Sequence, residues 1–281
     1  MIRTIAGTRV AIDAGRSEGR TVGLVPTMGA FHGGHVSLIR RAREERELVV
    51  VSLFVNPTQF TDPADLAAYP RDEERDLEIA RREGVDIVFA PSVEEMYPAG
   101  ESEVTVDPGT LGDRLEGARR PGHLRGVATV VTKLFHVAGP CSAYFGEKDA
   151  QQLAVLRRLV RDLAFPVAVV ACPTLREPDG LAMSSRNARL APDQRDAAGC
   201  LFLALSEAAG MARGGERDAA RLVAAMAREV GATPAARLDY AAVVDEETFE
   251  DVRTIERPAR ALVAAWFGEI RLIDNVLLPL D

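Results

Sequence analysis

The chain has 281 residues, 47% hydrophobic and 27% charged, with a formal net charge of −8. That length supports one large domain or two smaller ones with a sizeable core, and that balance describes a globular protein rather than a disordered chain. The negative charge excludes a surface-wide nucleic-acid footprint, so an anionic small substrate would need local cations in a cleft.

In chain order, Val22–Val25 reads as a strand and Val36–Arg46 as a helix. Leu48–Phe54 is an unbroken apolar run, as expected of a buried strand. Asp72–Glu83 reads as a charged surface helix and Asp86–Phe89 as a strand. Then come a helix at Val127–His136, a strand at Ser142–Phe145, a helix at Gln151–Leu163 and a strand at Val167–Cys172. This alternation predicts a parallel sheet with crossover helices, whose ligands bind beyond the carboxyl ends of the strands. After about Pro173 the texture changes to two alanine-rich helices, Pro192–Arg213 and Glu216–Val230, split by Gly214-Gly215. Leu238–Val244, Ala259–Phe267 and Ile270–Val276 follow as antiparallel strands, which predicts a second, smaller α+β domain.

Cys141, Cys172 and Cys200 are too far apart for a zinc site or a disulfide framework and read as buried, reduced thiols. No signal-peptide pattern is visible, and the longest apolar stretches are too short to span a bilayer. The expectation is a cytoplasmic protein with no membrane and no nucleic-acid partner. Of 34 cationic residues only Lys133 and Lys148 are lysines, so a lysine here hints at a site that wants a compact ammonium. Lys133 reads as an ordinary helix-face residue.

The candidate chemistry sits in six runs that follow strands. In His32-Gly-Gly-His35 a strand enters a glycine turn and then a helix, which suits phosphate oxygens. Two histidines are too few to hold a metal unaided. In Phe54-Val-Asn-Pro-Thr-Gln-Phe60, Asn56 and Gln59 offer amides that suit a hydroxyl- and carboxylate-bearing ligand, although Asn-Pro is also ordinary turn chemistry. After Tyr69-Pro-Arg71 the acids of the next helix read as dipole complements, with Asp76 a weaker candidate for Mg²⁺. Arg120-Pro-Gly-His123-Leu-Arg125 is either an anion-closing loop or a solvated basic one. In Gly146-Glu-Lys-Asp149, Lys148 would meet phosphate as a point charge. Asp149-x-x-Gln152 also fits a capping-box variant, with Leu153, Leu156, Val160 and Leu163 as the buried stripe behind it. Finally Arg176–Asn187 carries three adjacent phosphate-compatible donors, Ser184, Ser185 and Arg186, in a loop able to close on a nucleotide.

The ordered set, from Pro26-Thr-Met-Gly through His32-x-Gly-His35 to Ser184-Ser-Arg-Asn187, closely resembles the pantothenate synthetase (pantoate–β-alanine ligase) family over nearly the whole chain. That family belongs to the nucleotidyltransferases with a His-x-Gly-His signature. Its Ser-Ser-Arg segment looks like the second phosphate-binding signature of class I aminoacyl-tRNA synthetases. The resemblance implies a Rossmann-like α/β catalytic domain at 1–174, a smaller C-terminal α+β lid domain at 175–281, and a homodimer. It implies that pantoate carboxylate attacks the α-phosphate of ATP to give pantoyl adenylate and pyrophosphate. The β-alanine amine then releases AMP and yields pantothenate. By position, the ATP contacts would be Met28, Gly29, Ala30, Phe31, His32, Gly33, Gly34 and His35, then Gly146, Glu147, Lys148 and Asp149, and then Leu175, Met183, Ser184, Ser185 and Arg186. His35, with His32 and Lys148, would be catalytic; Gln59, Gln152 and Asn56 would hold substrate; and Mg²⁺ would accompany ATP. The chain departs from the family at Phe31, Gly33 and Leu124, and Arg75-Asp76 stands where an acidic pair is sometimes found.

Overall fold

A computed structural model describes residues 1–100 and 102–280. The first part of the chain runs α1 (Ile5–Ser17), β1 (Val22–Thr27), α2 (Gly33–Glu45), β2 (Leu48–Leu53), α3 (Pro63–Ala68), α4 (Glu73–Arg82), β3 (Ile87–Phe89) and α5 (Val93–Met96). It continues with α6 (Glu116–Arg119), α7 (His123–Ala138), β4 (Cys141–Gly146), α8 (Ala150–Asp162) and β5 (Val167–Cys172). The five strands pair in parallel in the order β3-β2-β1-β4-β5. Strand order therefore reverses between β1 and β4, where a crevice opens at the carboxyl end of such a sheet.

Alternation along the strands gives the sheet two buried faces. Val22 and Leu24 of β1 join Ile12 of α1, Leu134 and Phe135 of α7 and Leu156 of α8 in one cluster. Val25 turns to the opposite side and joins Ile39 and Ala42 of α2 and Ile79 of α4. Phe135 and Leu156 are fully buried, so truncating either to alanine would cost roughly 2–5 kcal/mol.

The second part forms α9 (Pro192–Ala197), α10 (Cys200–Arg213), α11 (Ala219–Gly231) and three antiparallel strands, β6 (Ala236–Asp245), β7 (Ala259–Phe267) and β8 (Ile270–Leu278), in that order. Ala204 and Ala208 of α10, Leu222 and Met226 of α11, and Ala261, Val263 and Phe267 of β7 build its separate core. The contacts divide into two compact units that change over at Pro173/Thr174. The short stretch Lys148–Ala150 groups with the second unit.

Several sequence expectations change. α1 is not signalled by the sequence pattern, because Gly7, Gly15 and the exposed Val10 blur its stripe and leave Thr8, Ile12 and Gly15 as the buried positions. The helix expected over Pro192–Arg213 is divided at Ala198-Gly199, where a weak helix former interrupts the alanines. Leu163 lies just beyond α8 and is 54% exposed, so the buried stripe ends before it. All three cysteines are free; Cys172 and Cys200 are buried and Cys141 is half-buried.

Candidate active site

The turn after β1 is held in a conformation that side chains resist. Gly29 has φ +82° and Ala30 has φ +52°, so two successive residues lie in the left-handed region. Two anchors fix them. Thr27 Oγ1 donates to Ser52 O at 2.6 Å and accepts the Gly29 N–H at 3.2 Å, tying the turn to β2. Asp76 of α4 accepts the Ala30 N–H on Oδ2 and the Phe31 N–H on Oδ1, each at 2.7 Å. Asp76 is 2% exposed, and burial pushes its carboxyl up against the opposing pull of those two N–H groups.

Asp76 is the residue considered for Mg²⁺ in the sequence. Both Asp76 oxygens hold main-chain N–H groups, and no cluster of three or more metal-ligating side chains exists among the described residues.

The histidines act first as caps. His32 is the N-cap of α2, its Nδ1 accepting the Gly34 N–H at 3.1 Å, and His35 Nδ1 accepts the His32 N–H at 3.3 Å. Together they form a capping box made of two imidazoles. Since both Nδ1 atoms accept, a neutral ring carries its proton on Nε2. The rings lie 4.2 Å apart between centroids, at a helix N-terminus whose dipole favours negative charge. Gly33 is exposed at the first helical position.

A second loop adjoins this turn. Gln59, 8% exposed, places Nε2 2.9 Å from Met28 Sδ and takes the Asn56 Nδ2 proton on Oε1 at 3.1 Å. Its main-chain oxygen accepts from His123 Nδ1 at 2.8 Å and Arg120 Nη2 at 3.3 Å, while Arg120 Nη1 lies 3.0 Å from His123 Nε2. Arg120 and His123 brace the Gln59 main chain, a contact that belongs to neither reading of the Arg120–Arg125 loop. Asn56, 1% exposed, also departs from expectation. Its Oδ1 receives Tyr97 Oη and the Thr58 hydroxyl and N–H, and its Nδ2 also serves Gly126 O, so its amide organises the loop.

Gly146 ends β4, and Glu147–Asp149 form a 3-10 turn that runs into α8. Lys148 is half-buried, with Nζ 3.6 Å from Asp149 Oδ1. The other lysine, Lys133, stands 5.1 Å from the Tyr97 ring centroid. Gln152 is half-buried near the start of α8. Its neighbour Gln151, not singled out in the sequence, is buried and structural: it donates to Leu111 O and Arg114 O and accepts the Glu116 N–H.

In the second unit, residues 175–183 fold back on themselves. Met183 N–H donates to Leu175 O at 2.9 Å and Glu177 N–H to Leu181 O at 2.8 Å, which sets Leu175 and Met183 side by side. Gly180 makes the bend at φ +90°, with the Phe202 ring where a Cβ would stand. Ser184 then caps the 3-10 turn Ser185–Arg189, its Oγ accepting the Arg186 N–H at 3.2 Å. Sequence reading passes over Arg176 and Asp274, whose ion pair closes at 2.5 Å. One signal is available: Asp274 interrupts the apolar alternation Ile270, Leu272, Val276, Leu278.

A parallel sheet that reverses order beside a strained, histidine-capped helix start defines an α/β protein of the nucleotide-binding kind. Comparison with known proteins narrows this. Residues 1–277 match the pantoate-beta-alanine ligase family model. A pantothenate synthetase of Rubrobacter xylanophilus is 56% identical over 271 residues, covering 94% of this chain and 93% of that one. The crystal structure of a pantothenate synthetase from Thermus thermophilus superposes with a TM-score of 0.92 at 48% identity, covering 99% of both chains. The pantoate-beta-alanine ligase of Francisella tularensis, solved with beta-gamma ATP and beta-alanine, gives 0.80 at 33% identity, covering 98% of this chain and 96% of that one. The chain belongs to the pantoate–β-alanine ligase family. It is an enzyme that joins pantoate to β-alanine with consumption of ATP.

Proposed function

We propose that this ligation runs in two steps through a pantoyl adenylate. A pantoate carboxylate oxygen attacks the α-phosphorus of ATP, the bond to the bridging oxygen breaks, and pyrophosphate leaves. The uncharged β-alanine amine then attacks the acyl carbon; the acyl C–O bond of the mixed anhydride breaks, AMP leaves with that oxygen, and the nitrogen loses one proton. The single observation that carries this reading is the histidine capping box at the N-terminus of α2, just after β1, where the helix dipole favours negative charge. His35 and His32 stabilise charge passing onto the phosphates, and Lys148 adds a compact cation there.

In this reading Met28–His35, Gly146–Asp149, Leu175 and Met183–Arg186 bind the nucleotide, while Gln59 and Gln152 hold pantoate through its hydroxyls and carboxylate. Asn56 acts at one remove, by orienting Gln59. Mg²⁺ enters with the triphosphate as part of the substrate, as the family resemblance implies, since phosphate-bound magnesium keeps few protein ligands. Residues 1–174 serve as the catalytic domain and 175–281 as a lid, and two copies associate as a homodimer; the family resemblance supports each assignment. We place the enzyme in the cytoplasm. No helix among the described residues is long and apolar enough to cross a membrane.

AMP release should be measured with ATP, Mg²⁺, pantoate and β-alanine, omitting each in turn. AMP that appears only with both organic substrates, with pantothenate confirmed by mass, supports the two-step ligase. Pyrophosphate formed together with an adenylylated phosphate acceptor would instead favour a related adenylyltransferase.

A further inference from the structure

The innermost polar groups of the second unit lie at adjacent positions of β8. Asp274 pairs across to Val263 and Asn275 to Leu262, so their side chains leave the strand on opposite faces. Neither position suits its residue on burial grounds alone, with exposures of 2% and 4%. Asp274 stands in the apolar row that faces α10, and Asn275 stands among backbone and arginine.

Each is held by a charge, and each holds a segment of the nucleotide machinery. Asp274 takes a two-point contact from Arg176, Nη1 to Oδ2 at 2.5 Å and Nη2 to Oδ1 at 3.1 Å. The same Nη1 donates to Gly180 O at 2.9 Å, and the guanidinium lies over the Phe202 ring, 4.9 Å from its centroid. Asp274 thereby fixes the bend that sets Leu175 beside Met183. Asn275 is oriented by Arg260, whose Nη1 donates to Asn275 Oδ1 while its Nε and Nη2 grip Glu246 at 2.6 and 2.8 Å. A guanidinium only donates, so the amide oxygen must face Arg260 and the Nδ2 hydrogens must point the other way. There Nδ2 donates to the main-chain oxygen of Lys148 at 2.8 Å. Lys148–Ala150 groups with the second unit, and this bond ties it to β8.

We infer that Asn275 and Asp274 are positioning residues of the adenylation step: β8 sets the main chain of Lys148 with one side chain and the Leu175–Met183 bend with the other. The inference rests on the proposed roles of Lys148, Leu175 and Met183 at ATP. A buried polar pair spent in this way serves geometry more than stability, since well-packed apolar residues would stabilise the strand at least as well.

Asn275→Asp separates the two contributions. The carboxylate keeps, and by charge strengthens, the contact with Arg260, but it has no proton for Lys148 O. The folded variant should raise KM for ATP and lower kcat of adenylate formation, each about tenfold, with KM for pantoate unchanged. Asp274→Asn, which keeps the shape but loses the ion pair, should raise KM for ATP in the same way. Lys148→Met serves as the control for the underlying reading. If Lys148→Met leaves the ATP kinetics unmoved, the role given to Lys148 is wrong. If Lys148→Met raises KM for ATP while Asn275→Asp and Asp274→Asn both show wild-type ATP kinetics, the positioning role is overturned. Should one of the two β8 variants not fold, the other decides.

Discussion

Asp76 holds Phe31 by its main chain, with Oδ1 accepting the N–H at 2.7 Å while Oδ2 takes that of Ala30. The carboxylate thus grips the two peptide groups that follow the left-handed Gly29, from a helix 46 residues away from Ala30 in sequence. An aspartate in the first turn of α4 has a routine role as a dipole complement, yet this one is buried and aimed away from its own helix end. Asp76→Asn keeps the shape but sets an NH₂ against an N–H. An unmade bond of this kind costs about 1–3 kcal/mol, and the strained turn loses an anchor. We expect a lower melting temperature and KM for ATP raised roughly tenfold, since ~1.4 kcal/mol is a factor of ten. Steady-state kinetics alongside a thermal scan check both; an unaltered KM for ATP would show that the Asp76 anchor is not needed for ATP binding.

His35 combines structural and chemical work that one substitution can separate. A glutamine at the third helical residue is the usual partner of a capping box, so His35→Gln should still reach the His32 N–H. The melting temperature should stay close to wild type, whereas His35→Ala should lose about 1 kcal/mol of cap. Both should lower the rate of adenylate formation by roughly 10²–10³-fold, the loss typical of one donor at developing charge. Pyrophosphate release in a single turnover is the direct readout. A His35→Gln enzyme at full speed would reduce the imidazole to a cap.

Two aspartates give pH dependences of opposite sign. Burial works to raise Asp86, but the Val49 N–H and the guanidiniums of Arg20 and Arg43 outweigh it and hold its carboxyl below the ordinary range. Its contribution is therefore present above the unfolded value and is lost as pH falls through the folded one. For Asp76 burial wins, so its contribution is complete below the unfolded value and is lost as pH rises through the higher folded one. Asp86→Asn should destabilise by about 1–2 kcal/mol at neutral pH, after allowance for its partial exposure, and the gap to wild type should close in acid. Denaturant melts from about pH 3 to neutrality would show it; a gap constant across that range would exclude the linkage.

Gly180→Ala tests the bend beside Phe202. The added methyl must adopt a left-handed conformation and falls inside the contact radius of the Phe202 ring. A loss of about 2–4 kcal/mol is expected, combining backbone strain with overpacking. Calorimetry together with ATP titration would check it, and a variant as stable as wild type would mean that the bend can relax.

The sheet was legible because β1, β2 and β5 are apolar runs too short for helices, and the turns after β1 and β4 carry glycine where the chain must bend sharply. Roles inside the site were less legible. His32 and His35 announced anion chemistry, but that they also cap α2 follows only from their Nδ1 geometry. Asn56 and Gln59 looked alike as loop amides; the difference came from Tyr97 and Gly126, which are distant in sequence and spend the first of them. Gln152 drew notice over Gln151 because a capping pattern can be read from spacing, whereas the bonds of Gln151 to 111–116 are tertiary. Asp274 left a trace, a carboxylate within an apolar row, yet its partner Arg176 lay 98 residues away with nothing local to connect them.

The near absence of lysine gives the molecule an unusual chemical simplicity. Only two side-chain amines are available to an acylating reagent, one beside the Tyr97 ring and one in the turn after β4. Side-chain labelling would divide between two sites, Lys133 and Lys148, with Lys133 as an internal standard. If Lys148 meets the nucleotide as proposed, its shielding would read directly as occupancy, with no engineered probe.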